Sequence, residues 1–142
     1  MITVFEIFKA DTTAQRELPL YLSRIKAGFP SAADDYLDKK LDLNEHLIKH
    51  PTSTFFVKVK GDSMIGAGIN SGDILIVDRS IEAKDKKVVV VILNGEFTVK
   101  RLQKRKDKVF LLAENFNYEP IEIKQGMDFE IWGVVLHVIH SV

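Results

Sequence analysis

The chain has 142 residues, the length of one ordinary domain or of a small domain with an arm. Hydrophobic residues make up 46% and charged residues 28%, a soluble, globular composition with zero formal net charge, so charge alone makes no case for nucleic-acid binding. Cysteine is absent, which excludes disulfides, thiol catalysis and cysteine-based zinc sites and fits a reducing compartment.

Residues 1–30 read as an arm with weak periodicity, and residues 31–142 as the domain that carries most of the strand signal. The opening run Met1-Ile2-Thr3-Val4-Phe5-Glu6-Ile7-Phe8-Lys9 is apolar but short. It lacks a basic leader and contains Glu6, so it is a poor signal peptide; Ile2, Val4, Ile7 and Phe8 suit an edge strand or a loose turn. No apolar run approaches the ~18 residues of a membrane helix, and the expected location is the cytoplasm. Pro19 argues against a helix through residues 16–26, and Gly28 and Pro30 break regular structure again. Residues 24–31 therefore read as an exposed connector, the kind of segment where proteolysis concentrates.

Residues 31–50 look helical in part, with Tyr36, Leu37, Lys40 and Leu41 on one weak apolar stripe. Asp42 and Glu45 resemble a capping box, predicting a short helix from 43 to about 49 that stops before Pro51. From Thr54 onward the pattern is β. Residues 54–60 alternate as a half-buried strand does, and 74–77 form a short buried run after a turn. Residues 88–93 and 96–102 flank Asn94-Gly95, whose residues accept the positive φ of a type I′ hairpin turn. Residues 109–112, 121–123 and 129–139 complete six to seven strands. The expected fold is mostly β, a strongly twisted, coiled sheet with one or two short helices and an extended leading arm. The basic run at 100–106 reads as a solvated strand end.

Ser63, in Gly61-Asp62-Ser63-Met64, follows a turn residue and needs a base to take its proton. His46, His50, His137 and His140 read as solvated or core residues. Lys100 is the better candidate. Period-2 alternation puts it on one face with Thr98 and Leu102. A lysine base must be neutral, which needs its pKa to fall by roughly 2–3 units from about 10.4, and desolvation can supply this. Packing of the 88–102 hairpin on the strand before Ser63 would bury it. The residues alone leave open whether Lys100 is that base or a strand lysine with its head in water. Amides after Ser63, Met64 first, could hold a developing oxyanion. Asp62 and Asp73 read as turn residues, and no phosphate loop, zinc helix or calcium loop is present.

The segment Thr54-Phe55-Phe56-Val57-Lys58-Val59-Lys60-Gly61-Asp62-Ser63-Met64 resembles the nucleophile segment of the LexA-like self-cleaving proteins, peptidase family S24. Ser71-Gly72-Asp73-Ile74-Leu75-Ile76-Val77-Asp78 is similar to that family's next strand, and Gly95-Glu96-Phe97-Thr98-Val99-Lys100-Arg101-Leu102 to its catalytic-lysine strand. Phe29-Pro30-Ser31-Ala32-Ala33-Asp34-Asp35-Tyr36, Asp42-Leu43-Asn44 and the closing Trp132-Gly133-Val134-Val135-Leu136-His137-Val138-Ile139 narrow the likeness to UmuD-type proteins. It spans about residues 27–141.

The resemblance implies Ser63 as nucleophile, Lys100 as general base and Ala27-Gly28 as the bond cut, with no metal or cofactor. Ala-Gly is the common family pair, where enterobacterial UmuD proteins have Cys-Gly. It also implies a homodimer and cleavage stimulated by the RecA–single-stranded DNA filament in the SOS response. The trimmed chain 28–142 would be accessory to an UmuC-type Y-family polymerase in translesion synthesis. Competing expectations are a LexA-like repressor, a membrane signal peptidase with the same dyad, and a binding module of this fold that does not cut. Twenty-seven residues with Pro19 among them leave no room for a helix-turn-helix ahead of the bond, and no sequence-specific DNA binding is expected.

Overall fold

The structure is a computed structural model that describes residues 2–13, 17–21 and 37–142, with backbone alone described for 17–21 and 37–40. The chain divides into two compact units, one formed by Met1–Ala10 with Thr52–Val142 and the other by Asp11–Pro51.

In the larger unit, eight strands hydrogen-bond in one sheet: β1 (Thr3–Lys9), β4 (Thr54–Lys60), β5 (Ile74–Asp78), β10 (Phe129–Ile139), β6 (Val88–Leu93), β7 (Glu96–Arg105), β8 (Lys108–Leu112) and β9 (Ile121–Ile123). That spatial order is closed by a further pairing of β1 with β7, so six strands ring a core and β8–β9 continue from β7. Closure leaves few free edges for unwanted pairing. The ring depends on β10, whose first half pairs with β6 and second half with β5, with register shifts at Ile131/Gly133 and Val135/His137 that bend it.

Local chemistry explains these strands. Val57 and Val59 are fully buried on β4 while Lys60 is exposed, the alternation of a one-sided strand. The β6–β7 hairpin turns on Asn94 (φ 51°) and Gly95 (φ 82°), the two positive φ values its sequence predicts. Two apolar clusters fill the unit. One gathers Ile2, Val57, Met64, Leu75 and Val99, the other Val89, Val91, Leu102, Leu111 and Val134. Trp132 packs against Phe55 and Phe97 at the edge of the first, with Arg79 over its ring.

In the smaller unit, β2 (Glu17–Tyr21) and β3 (Leu37–Asp42) form an antiparallel ribbon, with Leu18 opposite Leu41 and Pro19 opposite Lys40. This corrects the helical reading of Leu37, Lys40 and Leu41. A six-residue segment is too short to hold a helix unaided, so pairing with a distant strand decides its state. Pro19 is tolerated because each strand of a ribbon has one unpaired side. Helix α1 (Leu43–Leu47) begins as predicted, with the Asp42 carboxylate accepting from the Asn44 amide, but ends at Ile48, sooner than expected.

Candidate active site

Ser63 lies in the turn that leaves β4. Gly61 takes φ 121°, a conformation that disfavours any side chain, and turns the chain sharply after Lys60. A single 3₁₀ turn follows at Ile65–Ala67, so Ser63 and Met64 are pulled inward; both are fully buried. The Met64 amide has no hydrogen-bond partner among the described residues, while its carbonyl accepts from Ala67 and Ile69.

Lys100 lies in β7 opposite Val89 of β6, between buried Val99 and half-buried Arg101. It is only 2% exposed, and burial holds its ammonium below the usual lysine pKa. Thr98, fully buried, is on the same face two residues earlier.

The loop at 113–118 packs on the turn that holds Ser63. Gly66 donates to the Glu114 carbonyl at 2.7 Å, and a β-carbon on Gly66 would stand 2.6 Å from that oxygen, so only glycine admits this approach. Asn115 Nδ2 donates to the Asp62 carbonyl (3.1 Å) and the Tyr118 hydroxyl to Asp62 Oδ1 (2.6 Å). That last bond holds the phenol protonated to higher pH than usual. Tyr118 thus reaches from the residue before Ser63 to the lysine, because its ring centre is also 5.9 Å from Lys100 Nζ. Arg101 steadies the loop through an ion pair with Glu114. Beside it opens a cleft of about 460 Å³ bordered by Ile65, Phe116 and Tyr118.

The remaining cover comes from the start of the chain. The Ile2 amide donates to Ser63 Oγ at 2.8 Å, and Thr98 Oγ1 donates to the Ile2 carbonyl at 2.6 Å. Thr3 pairs with Lys60 of β4 on one side and Thr98 of β7 on the other. In the sheet β1 stands between β4 and the hairpin carrying Lys100, and the hairpin meets β4 through the core, where Val90 and Val99 join Val57 and Val59. Among the described residues, Ser63 Oγ takes its hydrogen bond from Ile2 and none joins it to Lys100.

The other expected residues fall as follows. Ala27 and Gly28 lie outside the described residues. His46, His50 and His137 are exposed, and His140 Nδ1 meets Asp73 Oδ1 at 2.6 Å. Asp73 is also a turn residue, accepting from the Asn70 amide. No group of three or more potential metal ligands occurs among the described residues, and no helix there is long and apolar enough to cross a membrane. Sequence reasoning missed Ile2 and Tyr118, for which it carries no signal, and passed over Thr98, which shares a face with Lys100.

A chain of this architecture, with a buried serine after β4 and a buried lysine on β7, matches known proteins along most of its length. The peptidase S24-like family pattern covers residues 19–136. MucA of Salmonella typhimurium is 40% identical over 134 residues, 93% of this chain and 91% of MucA. SamA of Salmonella typhimurium is 42% identical over 127 residues, 89% of this chain and 88% of its own. ImpA of Salmonella typhimurium is 41% identical over 130 residues, 86% of this chain and 83% of its own. With such likeness running through both units, the chain belongs to the S24-like peptidases as one of their UmuD-type members.

Proposed function

We propose that this chain is a single-use serine peptidase that cuts its own Ala27-Gly28 bond with a Ser63–Lys100 dyad. The observation that carries the reading is the burial of Lys100, which favours the neutral amine a base must present. Ser63 Oγ attacks the Ala27 carbonyl as Lys100 takes the hydroxyl proton. The Met64 amide is the candidate donor to the oxyanion that forms. Collapse of that intermediate breaks the bond to the Gly28 nitrogen, which receives the proton from Lys100. Water then hydrolyses the Ala27 ester on Ser63, with Lys100 again the base. Because the substrate belongs to the same chain, its effective concentration is high once docked, and the resting rate reflects how seldom it docks.

Membership of the family supports the wider reading. The RecA–single-stranded DNA filament stimulates the cut during the SOS response, and the trimmed dimer, residues 28–142, serves an UmuC-type Y-family polymerase in the cytoplasm. The test is incubation with RecA filament, followed by mass and N-terminal sequencing of the products. A fragment beginning at Gly28 is expected, with Ser63→Ala and Lys100→Ala each blocking its release. Intact chain after that incubation, or normal cutting by Lys100→Ala, overturns the dyad. Light scattering of the product, followed by co-purification with the polymerase, tests the dimer and the partnership.

A further inference from the structure

Ser63 is fully buried in the conformation described. Among the described residues, what meets its hydroxyl is backbone. Ile2 lies across the site with its amide on Ser63 Oγ and its carbonyl on Thr98 Oγ1. The oxygen that must attack is thereby engaged as an acceptor. Two partners, one accepting from an N–H and one donating to a C=O, are what an extended peptide requires, and they read no side chain.

Beyond its pairing with β4, the same segment is lightly held. After Ile2, only Val4 is half-buried; Phe5, Ile7 and Phe8 are 50%, 38% and 46% exposed. Its strand pairing with β7 is limited to one residue pair, Thr3 with Thr98. The edge of β7 is open there because β8 pairs only with its far half, from Arg101 onward. Strands with few buried side chains are the first to open.

Building on the self-cleavage reading, we propose that Ser63 and Thr98 form a seat for extended backbone and that β1 is its resting occupant, a plug the peptide to be cut must displace. Cutting then proceeds at the intrinsic rate multiplied by the fraction of chains whose seat is vacant. Anything that binds the vacated form better accelerates the reaction, without touching Ser63 or Lys100.

The chain's lack of cysteine permits a direct test. Thr3 and Lys60 are antiparallel partners. Such partners lie about 4.5–5.5 Å apart at Cα, within disulfide reach. In full-length Thr3→Cys/Lys60→Cys protein at pH about 9, oxidation should slow release of the Gly28 fragment at least tenfold, and reductant should restore it. Glu6→Pro, an exposed position in β1, should speed release severalfold by breaking the pairing with β4. Equal rates in the oxidised and reduced forms, or an unchanged rate in Glu6→Pro, overturn the plug while leaving the dyad standing. If the unsubstituted chain releases no such fragment, the self-cleavage reading fails and the plug falls with it.

Discussion

At the scale of the residue, Lys100 is the group whose chemistry is most sensitive to its surroundings. Its folded pKa lies below the unfolded value of about 10.4, so the unfolded chain binds more protons between the two. Stability therefore rises with pH through that window. Below the folded pKa the penalty of a buried ammonium is present in full, and above the unfolded pKa it is gone. Lys100→Met should make the chain more stable at pH 7, with the gain shrinking towards pH 10, as urea titrations at several pH values would reveal. The parent's cutting rate should climb about tenfold per pH unit below the lowered pKa and then level off, as a neutral base requires. A flat profile would point to a different base. A turn serine and a strand lysine made Ser63 and Lys100 visible as candidates, and the family resemblance implied their roles. The sequence could not reveal the Lys100 environment, since Tyr118 reaches it only through a loop bonded back to Asp62.

At the scale of the element, the turn that holds Ser63 and the 113–118 loop behave as one piece. Gly66→Ala would force its β-carbon against the Glu114 carbonyl, a rigid backbone atom. The expected cost is about 1–3 kcal/mol, read as a lower urea midpoint. The loop carrying Tyr118 would shift away, water would reach Lys100, and self-cleavage at neutral pH should fall. A variant with unchanged stability and rate would show that the loop gives way freely. Strands β4 to β10 were legible because alternation, the Asn94-Gly95 turn and glycine-bearing breaks are local signals. Strand β3 was not, because its partner, Glu17–Tyr21, is remote in sequence and its spacing imitates a helical stripe.

At the scale of the whole molecule, the ring of strands closes only through β1, which precedes the bond proposed to be cut. A trimmed 28–142 chain lacks that strand and the buried Ile2 side chain, worth about 2 kcal/mol. It should melt lower than the uncut protein. A peptide of residues 1–10 should raise its Tm again, by about 2.7 kcal/mol of stabilisation at one hundred times the Kd. No shift at saturating peptide would mean that the cut chain closes its sheet in another way.

The sequence by itself determined the β class, the hairpin that presents Lys100, the turn that presents Ser63 and the family resemblance, because each is written in residues a few positions apart. The tertiary structure decided that residues 37–42 are a strand and that Tyr118 flanks the lysine. It also decided that β1 joins β4 to β7 with Ile2 on the serine hydroxyl. Those outcomes depend on pairings across 16 to 96 positions of chain, where non-local burial and hydrogen bonding outweigh local preference.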